Sequence, residues 1–143
     1  MNNTEKAIKF FSTDFNCSQS VFAAYSEKFG IKEKDAQKIA TGFGGGIGRT
    51  QDICGALSGA VMVLGCRYYD ENNIAGSKVL VYEKTKELIS RFKEIHKTVE
   101  CRDLTGVDFN KEGGLELFKT LNIHENKCNG YIKDVCKILE ELI

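Results

Sequence analysis

The sequence predicts an all-α fold: a single-domain helical bundle of about six or seven helices around a central small-residue helix. Three observations point there. The 143 residues contain no proline and break at short glycine-marked turns, so little interrupts helical stretches. Apolar residues recur three and four positions apart along most of the chain. The longest uncharged run, Ile53 to Cys66, is fourteen residues with three glycines, which reads as a buried core helix and is too short to cross a bilayer. A chain of this length fits one domain, residues 1–143, that buries roughly two-thirds of its unfolded surface.

In chain order, Thr4 to Thr13 form a short amphipathic helix through Ala7, Ile8 and Phe11, with Thr4 as the expected N-cap. Asp14 to Asn16 break it. The second helix begins near Cys17 and carries the stripe Cys17, Val21, Phe22, Tyr25 and Phe29, and Gly30 ends it. A third, about Lys32 to Thr41, is expected to bury Ala36, Ile39 and Ala40. Five glycines then fall within the seven positions from Gly42 to Gly48. Asp52 is the expected cap of the fourth, small-residue helix, where Gly55, Gly59, Ala56 and Ala60 allow another backbone to approach closely, a rule borrowed from membrane helices. Ser77 to about Val99 make the longest helix, with Val81, Leu88, Ile89, Phe92, Ile95 and Val99 inward. Cys101 to Gly106 read as one helical turn and about Glu112 to Leu121 as a short helix that buries Leu115, Phe118 and Leu121. The last helix runs from near Cys128 to Ile143 with Ile132, Val135, Cys136, Leu139 and Leu142 on one side.

Charge excludes several functions. Lys plus Arg and Asp plus Glu both number 20, so no net field recruits nucleic acid or an anionic membrane, and no local basic patch appears. The polar N-terminus lacks an apolar signal core, which predicts a cytoplasmic protein that is not membrane-embedded. A homodimer is one expectation for a small helical domain with closely packing faces.

Six cysteines direct attention to chemistry. Cys17, Cys54, Cys101 and Cys128 each fall in or beside the first turn of a predicted helix, where unpaired backbone N–H groups and the positive end of the helix dipole favour thiolate. Cys66 and Cys136 do not, and read as packing residues. No Cys-x-x-Cys occurs, so neither a thioredoxin-type dithiol nor a paired-knuckle zinc site is expected, and without Cys-x-x-Cys-His neither is covalent haem. Four cysteines converging from four segments suit an iron–sulfur cluster, tetrahedral zinc, or no metal at all and two dithiol pairs.

The segments Asn-Cys-Ser-Gln-Ser-Val (16–21), Cys-Gly-Ala-Leu-Ser-Gly (54–59), Cys-Arg-Asp-Leu-Thr-Gly (101–106) and Cys-Asn-Gly-Tyr-Ile (128–132), in this order, resemble one known family. It is the redox-active family with the C_GCAxxG_C_C cysteine pattern, here as CGAxxG, and the likeness spans Asn16 to about Ile132. The resemblance implies a small, largely helical protein with four hallmark cysteines, here Cys17, Cys54, Cys101 and Cys128, as cofactor and metal ligands. It implies relatedness to the non-haem domain of split-Soret cytochromes, for which an iron–sulfur site has been proposed. It also implies genes often placed near transporters, hence a transporter-associated redox partner, and no established reaction.

The leading expectation is an iron–sulfur protein for electron transfer or redox sensing. The alternatives are a thiol-disulfide oxidoreductase using a cysteine pair and a zinc-stabilised interaction module. The glycine loop has two readings: backbone N–H groups closing on sulfurs or an anion, or a helix C-cap with a flexible connection. Arg49 is read as solvated. His96 and His124 precede Cys101 and Cys128 by five and four residues, but helix-end and loop roles suit them better. Asp103, Tyr25 and Tyr131 receive no catalytic assignment.

Overall fold

The first two helices start on asparagines. In the computed structural model, which describes all residues 1–143, α1 (Asn3–Phe11) is capped by Asn2, whose side chain accepts the Glu5 N–H while Glu5 accepts the Asn2 N–H. Asn2 has a glutamate three residues on and completes this box, so the cap is not Thr4. Asn16 and Gln19 repeat the device at α2 (Cys17–Ser26). A short 3-10 turn and left-handed Gly30 end it. The remaining helices are α3 (Glu33–Ala40), α4 (Gly55–Tyr68), α5 (Ile74–His96), α6 (Cys101–Thr105), α7 (Gly114–Thr120) and α8 (Asn129–Leu142). The fold is all-α. Its one extended pairing is an isolated antiparallel bridge between Ile53 and Glu100.

Two helices, not one, form the centre. A Cβ on Gly59 would stand 2.8 Å from the Ser18 carbonyl oxygen and 3.1 Å from the Val21 Cβ, and one on Gly55 would stand 3.3 Å from the Cys17 Cβ. The glycine face of α4 therefore lies directly on the α2 backbone. Ala56 and Ala60, beside those glycines, are fully buried. The expected α2 stripe understates the burial: eight of its ten residues are buried, because Cys17 to Ser26 carries no charge and neighbours close over every side.

Around this pair, 27 buried apolar residues form one contiguous core, closed from the far side by Ile132, Val135, Cys136, Leu139 and Leu142 of α8. Three expected core residues lie outside. Leu121 is 51% exposed, just past the end of α7 at Thr120. Ile39 is 56% exposed, standing about 100° round α3 from inward-facing Ala40. Ile95 is 54% exposed, since α5 buries only Ser77, Leu88 and Phe92 and ends at left-handed Lys97, before Val99. No helix is long and apolar enough to cross a membrane.

The α2–α4 contact yields a paired prediction. Gly59→Val drives a branched side chain into the Ser18 carbonyl and should destabilise by about 2–3 kcal/mol. Gly65→Ala, on the same helix with nothing within 4 Å of its Cβ, should stabilise by about 0.5–1 kcal/mol. Urea denaturation followed by circular dichroism reads both.

Candidate functional site

All four helix-start cysteines line one cavity. Cys17, Cys54, Cys101 and Cys128 share its wall with Gly45, Gly46, Arg49, His124 and Tyr131 among others. Cys66 and Cys136 do not reach it; Cys136 is fully buried beside Tyr25. All six are free thiols.

Each cysteine arrives by its own local device. Cys17 is the first residue of α2, set by the Asn16 cap. Cys54 is itself the N-cap residue of α4, the place expected of Asp52, although its side chain makes no capping hydrogen bond; the nearby Ala56 and Leu57 amides favour its thiolate. The Asp52 carbonyl accepts the Cys101 N–H at 2.7 Å, while the Cys54 N–H donates to the Val99 carbonyl at 2.7 Å. These two bonds flank the Ile53–Glu100 bridge and set Cys54 and Cys101 side by side. Cys128 departs from expectation. It closes a π-helical turn, His124–Cys128, that runs straight into α8, so it stands one turn inside helical backbone. Such turns concentrate at functional sites.

The glycine loop is an ordered left-handed turn and not a flexible connection. Gly45, Gly46, Ile47, Gly48 and Arg49 all have φ between 59° and 69°. The Gln51 and Asp52 amides close it onto the Gly45 and Gly46 carbonyls at 3.1 and 2.8 Å. Left-handed backbone costs about 1–2 kcal/mol for each non-glycine residue, and β-branched Ile47 at φ 69° is strained. Gly46 is needed here: a Cβ would meet the Gln51 Cα at 2.6 Å and the Cys101 Cβ at 2.7 Å.

Gln51 is the residue that sequence reasoning missed. It is 3% exposed, holds φ 60°, and ties three segments together. Its Nε2 donates to the Val107 carbonyl at 2.8 Å, its Oε1 accepts the Phe109 N–H at 2.7 Å, and its amide reaches the Cys101 sulfur. A glutamine after Arg-Thr offers no sequence signal of this role.

The other candidates divide. Arg49 lines the cavity while remaining exposed. Tyr131 also lines it, and its hydroxyl donates to the Leu104 carbonyl at 2.6 Å. His124 stacks on Phe11 with ring centroids 3.7 Å apart, and its Nδ1 lies 3.3 Å from Glu125 Oε1, out of hydrogen-bond alignment. His96 is elsewhere, 2.7 Å from Asp134 Oδ2. Asp103 accepts from Thr98, and Tyr25 donates to Glu140, both away from the cavity.

Electrostatics reverses part of the helix-start expectation. Burial pushes Cys54 up to about 12, although the Ala56 and Leu57 amides pull the other way. Burial likewise raises Cys101 to about 11, with a smaller rise from Cys128. Cys17 donates its S–H to Cys128, which holds Cys17 well above the ordinary thiol range and Cys128 below it. Burial leads at Cys54 and Cys101, and the interaction with Cys128 leads at Cys17, so none of these three gains the thiolate that a helix start favours.

Residues 15–142 match the family described as Putative redox-active protein (C_GCAxxG_C_C). The chain belongs to this family. A relative from Archaeoglobus fulgidus, described as "Uncharacterized protein", is 31% identical over 117 residues, covering 73% of this chain and 77% of its own. No solved structure matches. The match carries the C_GCAxxG_C_C family and does not extend to split-Soret cytochromes.

The raised thiols set the pH dependence of this C_GCAxxG_C_C protein in its reduced, metal-free form. Between pH 9 and 12 the unfolded chain loses thiol protons that folded Cys54 keeps, so stability falls with rising pH by roughly 3 kcal/mol. Urea midpoints across that range should show the fall, and Cys54→Ala should flatten it. Iodoacetamide at pH 7.5 should label Cys128 first, read by peptide mass spectrometry.

Proposed function

We propose that this protein binds an iron–sulfur cluster through Cys17, Cys54, Cys101 and Cys128 and serves in electron transfer or redox sensing. The observation that supports the reading is the convergence of four thiols, from four separate segments, on one cavity. The donor set suits the group: thiolates are the usual ligands of such clusters, and N–H groups aimed at sulfur, here from Ala56, Leu57 and Gln51, tune cluster potential. Desolvated thiols that resist ionisation by themselves are deprotonated outright on metal coordination. No three His, Cys, Asp or Glu side chains are grouped so as to hold a metal ion.

A second reading has its own observation. Cys17 and Cys128 line the same cavity and perturb each other, one thiol raised and the other lowered, the arrangement of a dithiol that closes reversibly.

Anaerobic purification with iron and sulfide analysis separates the two. The cluster reading expects coloured protein with iron and acid-labile sulfide, lost in Cys54→Ser and retained in Cys66→Ser. Colourless protein that resists reconstitution, with two thiols lost on oxidation in wild type and none in Cys17→Ser, establishes the dithiol instead.

A further inference from the structure

The cavity is larger than its cysteines require. Its volume of about 650 Å³ falls within the roughly 300–1,000 Å³ of small-molecule sites. The sulfurs, with Gly46 and Gly55, make only part of the wall. Phe15, Phe109, Leu115, Phe118, Arg49 and Lys119 contribute to the rest.

The helix α7 points to the same conclusion. It buries one residue, Gly114. Leu115 and Phe118, three positions apart on one face, are half-buried and line the cavity, and Phe118 meets Phe109 edge to face at 5.1 Å. A seven-residue helix is marginal in water unless an apolar face is covered. Here that face is turned to the cavity, so a molecule seated there would cover it. The cations on the wall are open to an anionic group. Arg49 and Lys119 have no carboxylate within 4 Å, and the carboxylates on the wall, Asp14 and Glu125, bond to neither.

We propose that the outer part of this cavity binds a small molecule with an aromatic body and one anionic group, held beside the four sulfurs with its charge toward Arg49 and Lys119. Edge and face contacts to Phe109 and Phe118 hold the aromatic body. The site goes beyond the cluster reading and does not depend on it, because none of these six residues is a cysteine.

The test uses 8-anilinonaphthalene-1-sulfonate as probe in fluorescence titrations of the full chain, both iron-free and after reconstitution. The expected result is saturable binding at one site per cooperatively folded chain. Arg49→Gly removes the guanidinium at a position whose φ of 65° suits glycine. It should weaken binding about fivefold, the worth of one exposed ion pair. Lys119→Ala should act in the same direction, Phe118→Ala should weaken binding at least fivefold, and cationic thioflavin T should bind at least tenfold more weakly than the sulfonate. Unchanged binding in Arg49→Gly and Lys119→Ala, equal binding of the cationic dye, or absence of a saturable site overturns the proposal; if Phe118→Ala fails to fold, the two charge variants decide. Iron and sulfide measured on the same samples separate the two readings. Probe binding without a cluster removes the cluster alone, and a cluster without probe binding removes this site alone.

Discussion

The contact on which the rest of this structure depends is backbone against backbone: the glycine face of α4 resting on the first turns of α2. Helices with ordinary side chains pack about 8–10 Å apart, and at that separation two cysteines at facing helix starts would open away from each other. Gly55 and Gly59 remove the intervening atoms, and Gly55 faces the Cys17 Cβ directly. Cys17 and Cys54 thus meet because of what is missing between their helices. The second half of the site follows from the first. Once α4 is seated, the Ile53–Glu100 bridge delivers Cys101, and Cys128 reaches Cys17 from the helical segment that closes the core.

The same burial governs the chemistry. Amides at a helix start lower a thiol when water solvates the sulfur; in this cavity the sulfurs lose water faster than the amides compensate. The result is a group of neutral, poorly solvated sulfhydryls, with the exception of Cys128. Such a site is reluctant to carry bare negative charge and receptive to a cationic centre that replaces the protons.

Much of this was legible in the sequence, for identifiable reasons. Helical spacing and the lack of proline revealed the fold class, and Cys17 and Cys101 stand at helix starts as read. The small-residue pairs at Gly55, Gly59, Ala56 and Ala60 revealed the central helix. Its partner α2 was underestimated because one apolar stripe was sought, when the informative feature was the absence of charge from Cys17 to Ser26. The caps were displaced: Asn2 with Glu5 outdoes Thr4, and α4 starts two residues beyond Asp52, on Cys54, with no side-chain capping bond. The left-handed turn was not legible, since Ile47, Arg49 and Gln51 hold conformations their residue types disfavour and only tertiary contacts impose them. Gln51 was hidden for the same reason: its partners at Val107 and Phe109 lie more than fifty residues away.

The π turn before α8 acts as a phase setter. It spends one residue more than an α-turn on a single revolution, as the Asn129 N–H bond back to His124 records. Because the extra residue is taken up within one revolution, deleting one residue between His124 and Cys128 would restore α-helical winding while α7 and α8 keep their mutual bearing. The interval should therefore tolerate a one-residue deletion better than an insertion, which would find no narrower turn to widen and would rotate the upstream chain by about 100°.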